Sequence, residues 1–298
     1  KNLNKEIKYF NQESRSNCLN IADEMLRGNF YYYKSKKFKF NGIPNWFLDP
    51  FSGNFAKYQK SHWVDYKHDK DIDIKNFWEL SRWDWAPLLC RAYKNSGNPI
   101  YINYLQELID DWCENNQFNQ GVNWVCAQEA SIRLIHAIQA FSIVQEKNNK
   151  IDNHFYQFIN VHLQRISVTH IYSKAQSNNH WISEAAALFI GGNLIKHKKY
   201  AKLGRLSLEK AIKKLVMKDG TFVQYSTNYQ RLVLDTLVQV ELWRRDLKLK
   251  PFSINYQKSI KKMLYWLVKM VDHISGQPSN IGNNDGACCY GLHNLSFN

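Results

Sequence analysis

Apolar residues recur every three or four positions through most of this 298-residue chain, and this spacing places them along one face of a helix. The pattern predicts successive helices at approximately 76–95, 99–116, 127–146, 151–172, 180–195, 201–217, 226–248 and 253–273. A further helix is predicted over residues 5–28. The period-two alternation typical of strands is nearly missing after residue 75, so the chain is predicted to be all-α.

One short segment near the N-terminus follows a different pattern. Residues 29–40 alternate well enough to predict a short β-hairpin, which we expect to close at Asn41-Gly42. An aromatic-rich loop region follows to about residue 75. We therefore expect residues 1–75 to form an N-terminal region of helix, hairpin and loop that packs on the later helices.

The breaks between the predicted helices are short. They are Ser96-Gly-Asn-Pro99, Asn119-Gln-Gly121, Lys218-Asp-Gly220 and Lys250-Pro251. Short connections make successive helices antiparallel, and such hairpins in series build a bundle, a solenoid or an α/α toroid. No repeat supports a solenoid. An incomplete toroid over residues 76–275 fits best, since its axial cleft would gather the polar helix starts. Residues 276–298 are predicted to be a loop-like tail.

Composition narrows the class of protein. Hydrophobic residues make up 44% and aromatic residues 14% of the chain, as in a globular protein. The longest nearly uncharged apolar run, 185–195, is shorter than the roughly 20 residues of a membrane-spanning helix, so no span is expected. The first residues lack the apolar core of a secretion signal, although a signal can have been removed before residue 1. The compartment stays open, with the periplasm or secretion slightly favoured.

The chain is strongly basic, with 40 Lys and Arg against 26 Asp and Glu and a net charge of +14. This balance favours a polyanionic partner: nucleic acid, anionic lipid or acidic polysaccharide. No nucleic-acid reading motif accompanies it, so nucleic acid is not expected as a partner. The six cysteines form no CxxC pair and are predicted to be buried free thiols. The histidines show no metal-ligand spacing, so no metal or other cofactor is expected.

The segment 177–184 carries the first candidate chemistry. Either Asn178 or Asn179 is predicted to cap a helix that starts near His180, where free N–H groups and the helix dipole favour an anion. The alternative is purely structural, with one asparagine as the cap and His180 packed against Glu184 one turn later. Both interpretations stay open on these residues alone.

A second candidate is Tyr229. We expect Tyr225 and Tyr229 to lie on one face at the start of a helix, in an unusually polar segment that includes Gln224. Aromatic core packing is the commoner role of a helical tyrosine. In a positive cleft, however, a phenolate becomes more accessible, and tyrosine can then act as a base and return the proton as an acid.

A third candidate is a matched pair of helical segments. Glu79 and Arg82 lie beside tryptophan in one, and Glu129 and Arg133 follow Trp124 and Gln128 in the other. Intrahelical ion pairs are the simpler interpretation. Binding of an acidic sugar by the arginines and tryptophans is the second, because guanidinium groups bind carboxylates and sulfates.

These motifs together resemble the N-terminal α/α-toroid domain of the heparinase II/III-like polysaccharide lyases, a group that also includes alginate lyases. The resemblance extends over nearly the whole chain. In order, it runs through Trp46-Phe-Leu-Asp49-Pro50 with Ser52-Gly53, Asp73 to Arg82, Gly121-Val-Asn-Trp124 with Glu129 and Arg133, Asn178-Asn-His180 with Glu184, Asp219-Gly220 with Gln224, Ser226 and Tyr229, and Pro278 with Ile281-Gly-Asn-Asn-Asp285.

The resemblance implies β-elimination on a uronate-containing polysaccharide, without a metal or organic cofactor. Asn179 and His180 would neutralise the uronate carboxylate, and Tyr229 would be the base and acid. The implied supporting or substrate-binding residues are Asn178, Arg82, Trp124, Gln128, Glu129, Arg133, Glu184 and Gln224. The family often has Glu in place of Gln224. It also continues into a C-terminal β-sandwich domain, an expected partner that is absent from this chain.

Other functions remain open at this level. The same basic, aromatic cleft could hold an acidic glycan, for surface-polysaccharide handling, without cutting it. A glycoside hydrolase on a similar toroid would need two carboxylates at a defined separation. Its candidates are Glu79, Glu129 and Glu184, and each has a plausible partner for an ion pair.

Overall fold

The computed structural model describes residues 12–67, 70–145 and 151–283. Its α-helices are α1 (Gln12–Leu26), α2 (Lys75–Ser81), α3 (Trp85–Ser96), α4 (Ile100–Asn115), α5 (Ala127–Val144), α6 (Asn153–Gln176), α7 (Asn179–Leu194), α8 (Lys198–Leu215), α9 (Thr227–Asp246) and α10 (Ile254–Lys269). Short 3-10 turns span Trp63–Asp65 and Val122–Trp124. The predicted helical residues 5–11 and most of the predicted tail, 284–298, lie outside the described residues.

Most predicted helices occur within a few residues of their expected ends, but one is wrong. The predicted helix 76–95 is two helices, α2 and α3. The chain turns between them at Trp83, whose φ of +62° no α-helix accommodates. The indole of Trp83 is buried against Trp112 and Phe158. The chain therefore breaks between α2 and α3 where the Trp83 side chain packs into the core. The apolar pattern of residues 76–95 continues across this break and does not reveal it.

The predicted hairpin is present, but its turn is not at Asn41-Gly42. Strands β1 (Asn29–Tyr32) and β2 (Lys36–Lys39) pair antiparallel, with Phe30 opposite Phe38. The connection is a tight turn in which Ser35 N donates to Tyr32 O at 3.1 Å. Both central residues of that turn have positive φ, which suits the right-handed twist of a two-stranded ribbon.

The helices pack in two rows. Alternate helices α3, α5, α7 and α9 contact one another in sequence and form an inner row. Against it pack α4 on α3, α6 on α5 and α7, α8 on α7, and α10 on α8 and α9. Inner helix α7 is buried on every face from residue 181 to residue 192, as expected for a helix surrounded by others. The starts of α5, α7 and α9 carry most of the predicted site residues, and Arg82 follows the end of α2.

The buried apolar side chains form two clusters. One extends from α1 and the hairpin to α5 and includes Trp83, Trp85 and Trp112. The other extends from α5 to α10 and surrounds α7. Helix α5 contributes to both, with Ala137 and Ala140 in the first cluster and Leu134 and Ile138 in the second. The predicted N-terminal region therefore shares its core with α3, α4 and α5.

The cysteines are only partly as predicted. Cys18 and Cys90 are free and buried, whereas Cys126 is half-buried and Cys113 is exposed on outer helix α4. Cys288 and Cys289 lie outside the described residues. The apolar pattern around Cys113 indicated a buried position, but this residue lies on the exposed face of α4 together with Gln106.

Candidate active site

The start of α7 is built as the sequence predicts. Asn178 is the N-cap, and its Oδ1 accepts a hydrogen bond from His180 N at 3.0 Å. The preceding Ser177 ends α6 with φ +52° and ψ +47°, which turns the chain sharply from one helix into the next. Asn179 is the first residue of α7 and is 2% exposed. Its side-chain Oδ1 has no hydrogen-bond partner among the described residues.

Gln224 lies directly against this helix start. Its Oε1 accepts a hydrogen bond from Asn179 N at 2.9 Å. That N–H belongs to the first turn of α7 and has no partner within the helix. Gln224 was predicted to contact substrate, but in the structure it fixes the backbone of a predicted catalytic residue.

The loop that carries Gln224 is held by a buried glutamine in α9. Gln230, 1% exposed, accepts from Phe222 N at 3.1 Å and donates to the carbonyls of Gly220 and Met263 at 3.2 and 2.9 Å. These bonds tie the loop to both α9 and α10. The segment between α8 and α9 is consequently a fixed part of the site.

Tyr229 lies in the first turn of α9. Ser226 is the N-cap, and its Oγ accepts from Tyr229 N at 3.1 Å. The Tyr229 side chain is half-buried and packs against the larger core cluster. Tyr225 is not on the helix as predicted, because it precedes the cap, has φ +50° and is 65% exposed. The two tyrosines therefore have different surroundings.

Basic side chains stand beside the start of α7. Lys214 donates to Ser177 Oγ at 2.8 Å, and its ammonium lies 5.8 Å from the centre of the Trp181 ring. Burial and the neighbouring Lys210 lower the pKa of Lys174, in the last turn of α6. The positive ends of these side chains and of the α7 dipole favour an anion in the same region.

Arg82 joins the two segments that the sequence paired. Its guanidinium donates to both oxygens of Glu129, at 2.7 and 3.2 Å, and to Glu79 at 2.5 Å. All three side chains are buried. Burial alone would lower the pKa of Arg82, but the two carboxylates outweigh it and hold the pKa well above its usual range. The predicted Glu79–Arg82 pair is confirmed, whereas Glu129 pairs across to α2.

Arg133 and Trp124 differ from the expectation that they contact substrate. Arg133 is fully buried and donates to Ser81 O, Asn123 O and His162 Nε2 at 3.0 to 3.1 Å. Its guanidinium lies 4.4 Å from the Trp112 ring centre and 5.0 Å from that of Trp124. Burial lowers the pKa of Arg133 to about 9. Arg133 and Trp124 therefore stabilise the packing of the protein interior next to the start of α5.

Glu184 belongs to a buried chain of polar side chains. His170 Nδ1 lies 3.0 Å from Glu184 Oε2, and His170 Nε2 lies 2.7 Å from Ser207 Oγ. Ser207 Oγ also accepts from Trp181 Nε1 at 2.7 Å. This order resembles a hydrolase triad, but Ser207 is only 2% exposed. Its hydroxyl is held between His170 and Trp181, so this chain of side chains links α6, α7 and α8 within the protein.

Gln128 follows the N-cap of α5 by two positions. It is 5% exposed, and its Oε1 has no hydrogen-bond partner among the described residues. Glu129 and Glu184 both lie close enough to Cys126, the cap residue, to raise the pKa of its thiol, although burial is the larger cause.

A cavity of about 310 Å³ lies elsewhere, between α1, the hairpin, α3 and α5. Its lining includes Lys34, Asp84, Arg91, His136 and Gln139. No predicted site residue lines it. In the regions that the structure describes, no three side chains cluster as a metal-binding group, and no helix is long and apolar enough to cross a membrane.

A comparison with known protein families matches residues 7–278 to the family described as Heparinase II/III N-terminus. The chain belongs to this family. The match covers nine-tenths of the sequence and includes every residue proposed for the site. A search of curated proteins finds no match.

Solved structures show the same fold for this heparinase II/III N-terminal domain. The heparan sulfate lyase HepC from Pedobacter heparinus is 21% identical, with 88% of this chain and 39% of that chain covered and a TM-score of 0.58. Heparinase III is 18% identical over 87% of this chain and 39% of its own, with a TM-score of 0.57. The chain thus spans about two fifths of those proteins, and the predicted incomplete α/α toroid is confirmed.

Some functional neighbours were not predicted from the sequence. His170, the partner of Glu184, and Ser207, the next side chain in that series, are 14 and 23 residues from Glu184 along the chain, and no local motif links them. Lys214 was not among the predicted site residues. An asparagine cap at 178 or 179 had a clear local signal, because asparagine precedes an apolar run.

Proposed function

We propose that this chain is the N-terminal part of a lyase that cleaves a uronate-containing polysaccharide by β-elimination. The observation that carries the proposal is the Asn179 amide, which is buried at a helix start with its Oδ1 unpartnered and its backbone fixed by Gln224. The structural relatives, a heparan sulfate lyase and heparinase III, support the same class of reaction.

Asn179 and His180 bind and neutralise the uronate carboxylate. Rotating an amide by 180° exchanges its oxygen and nitrogen, so the Asn179 side chain can direct N–H groups at an anion. The α7 dipole and Lys214 add positive potential at the same helix start. Binding of this kind stabilises the charge that moves onto the carboxylate when the neighbouring carbon loses its proton.

Tyr229 moves the proton. As a phenolate it removes the proton from the carbon next to the carboxylate, and the C–H electron pair becomes the new carbon–carbon double bond. The glycosidic C–O bond breaks with its electrons on the oxygen. The proton then passes from Tyr229 to that oxygen, so the base is regenerated and no water is consumed. The products are a new chain end and an unsaturated uronate.

The remaining site residues support this arrangement. Asn178 caps α7, and Gln224 fixes Asn179. The buried carboxylates of Glu129 and Glu184 orient Arg82 and His170, while Arg133 and Trp124 form the floor beneath α5. Gln128, with an unpartnered carbonyl oxygen, contacts the sugar. The rest of the full-length protein contributes a β-sandwich that closes one wall of the cleft.

A glycoside hydrolase fits the site less well. That chemistry requires two carboxyl groups on opposite sides of the scissile bond. Glu79 and Glu129 are both bonded to Arg82, and Glu184 is bonded to His170. All three are buried and engaged within the protein.

The test uses the full-length protein with heparan sulfate, alginate, hyaluronate and bacterial capsule, and measures ultraviolet-absorbing unsaturated uronates. We expect one of these glycans to be cleaved by the wild type. Tyr229→Phe should lose the activity, by about 100-fold or more if proton transfer is removed. Tyr225→Phe, in the neighbouring exposed tyrosine, is the matched control and should retain it. Wild-type rates in Tyr229→Phe, or binding of glycan with no new chain ends, would refute the proposal.

A further inference from the structure

Residues 279–283, which we term the strap, lie across the start of α9. Thr227 N donates to Ile281 O at 3.0 Å, and Thr227 Oγ1 donates to Ser279 O at 2.5 Å. Asn228 Nδ2 donates to Asn280 Oδ1 at 2.8 Å. The first N–H groups of a helix have no partner within it, and here the strap provides one.

The strap reaches Tyr229 through one hydroxyl. Ser226 Oγ donates to Asn283 O at 2.8 Å and accepts from Tyr229 N at 3.1 Å. The hydroxyl therefore connects the strap directly to the backbone of Tyr229. Because Ser226 is 2% exposed, water does not compete freely for these bonds.

Gly282 allows the strap to approach this closely. Its φ is +79°, and a Cβ there would lie 2.7 Å from Ser226 Cβ and 2.8 Å from both Ser226 Cα and Tyr225 O. Two of these three atoms are backbone and cannot move without shifting the start of α9. A side chain at this position would separate the strap from the helix.

The other end of the strap is fixed to α10. Ser279 N donates to Met270 O at 2.9 Å, and Pro278 forms an isolated β-bridge with Val271. The strap thus connects the end of α10 to the first turn of α9. It lies beyond residue 278, where the family match ends.

We propose that the strap is a positioning element for Tyr229, with Gly282, Thr227 and Ser226 as positioning residues. The inference rests on the proposed role of Tyr229 in proton transfer. The bonds from residues 279–283 set the backbone of residues 226–229 and hence the direction in which the Tyr229 side chain leaves the helix. A displacement of about 1 Å at a reacting group can lower the rate about 100-fold.

The first test compares two glycine variants in the full-length protein. Gly282→Ala introduces the clash with Ser226, whereas Gly276→Ala, at φ +69° just before the strap, has nothing within 4 Å of its new Cβ. Backbone strain is common to both. We expect kcat to fall about 10- to 100-fold in Gly282→Ala at unchanged KM, and to stay within about twofold in the control. Equal kcat values in the two folded variants would overturn the inference.

A second pair of variants decides the case if Gly282→Ala does not fold. Thr227→Val removes the hydroxyl that bonds Ser279 and Ile281, and Thr227→Ser keeps it. The inference requires a lower kcat in Thr227→Val and its recovery in Thr227→Ser, at a temperature where circular dichroism shows both folded. A wild-type kcat in Thr227→Val would refute it.

The proposed function and the positioning inference can be refuted independently of one another. If Tyr229→Phe retains activity, the proton-transfer role is wrong. If Tyr229→Phe is inactive while the strap variants match wild type, only the positioning inference is wrong. Amide hydrogen exchange gives a readout independent of turnover: the Thr227 and Tyr229 amides should exchange faster in Thr227→Val than in Thr227→Ser, and equal protection would contradict the strap's hold on α9.

Discussion

The side-chain carbonyl of Gln224 accepts a hydrogen bond from the backbone N–H of Asn179, at 2.9 Å. The two residues are 45 positions apart in the sequence, one before α9 and one at the start of α7. The bond brings together the two segments that the sequence selected for chemistry. The bond also explains how glutamine can occupy position 224, where the resembled family often has glutamate. The contact with Asn179 N needs only a hydrogen-bond acceptor and does not need a negative charge.

Two substitutions of Gln224 test whether its hydrogen-bond acceptor stabilises the start of α7. Gln224→Glu keeps an acceptor for Asn179 N, and a negative charge near a helix N-terminus is favourable. We expect that variant to remain as stable as wild type. Gln224→Leu leaves the N–H without a partner, and we expect the free energy of unfolding to fall by about 1–3 kcal/mol. Urea denaturation of the two variants measures the difference. Equal stability would show that Gln224 does not fix α7.

Arg82 should be far more important for stability than an exposed arginine. Arg82→Met leaves Glu79 and Glu129 buried without their partner, and breaking a buried pair in this way costs about 3–5 kcal/mol. Arg245→Met is the matched control, because Arg245 also bonds a glutamate, Glu241, but is 67% exposed. Its loss should cost less than about 1 kcal/mol. Chemical denaturation measures both, and a similar cost for the two would contradict the structure.

We expect the folded protein to lose stability in acid because of the buried side chain of His136. Burial lowers its pKa to about 4, despite the opposing effect of Asp84, and its Nδ1 lies 2.6 Å from Arg82 O. In the unfolded chain a histidine binds a proton near pH 6.5. Between these values the unfolded state holds more protons, so unfolding becomes easier as pH falls from about 6.5 to about 4, by up to about 3 kcal/mol.

The pH dependence of unfolding should be weaker in His136→Asn, which retains a donor for Arg82 O. It should not vanish, since burial and Arg133 also hold the pKa of His162 well below its usual range. His154→Asn, at an exposed position on α6, should leave the dependence unchanged. Denaturation curves at several pH values between 4 and 7 distinguish these outcomes. An unaltered slope in His136→Asn would show that this histidine does not contribute.

Local sequence signals predicted much of the fold. Hydrophobic periodicity located the helices because each buries one face, and an asparagine cap at 178 or 179 was recognisable because the requirement at a helix start is local. The break at Trp83 was not, since the apolar pattern continues across it. The turn at Tyr33-Lys34 was also missed, because neither residue is of the type that usually takes positive φ.

The candidate site was predicted as a set of residues rather than as contacts. Sequence spacing placed Glu129 within reach of Arg133, but Glu129 bonds Arg82, 47 positions away. Arg133 instead lies between tryptophan rings. Which of two candidate partners a side chain bonds depends on how the helices pack, and one sequence does not specify that directly.

The shared position of α5 has a consequence for how the molecule loses its structure. Side chains from the same two turns of this helix point into both apolar clusters, so neither cluster can be opened without stripping packing from the other. We therefore expect the N-terminal and C-terminal halves to melt together in a single cooperative transition, and a protease cut within α5 to inactivate the whole domain rather than release a stable half.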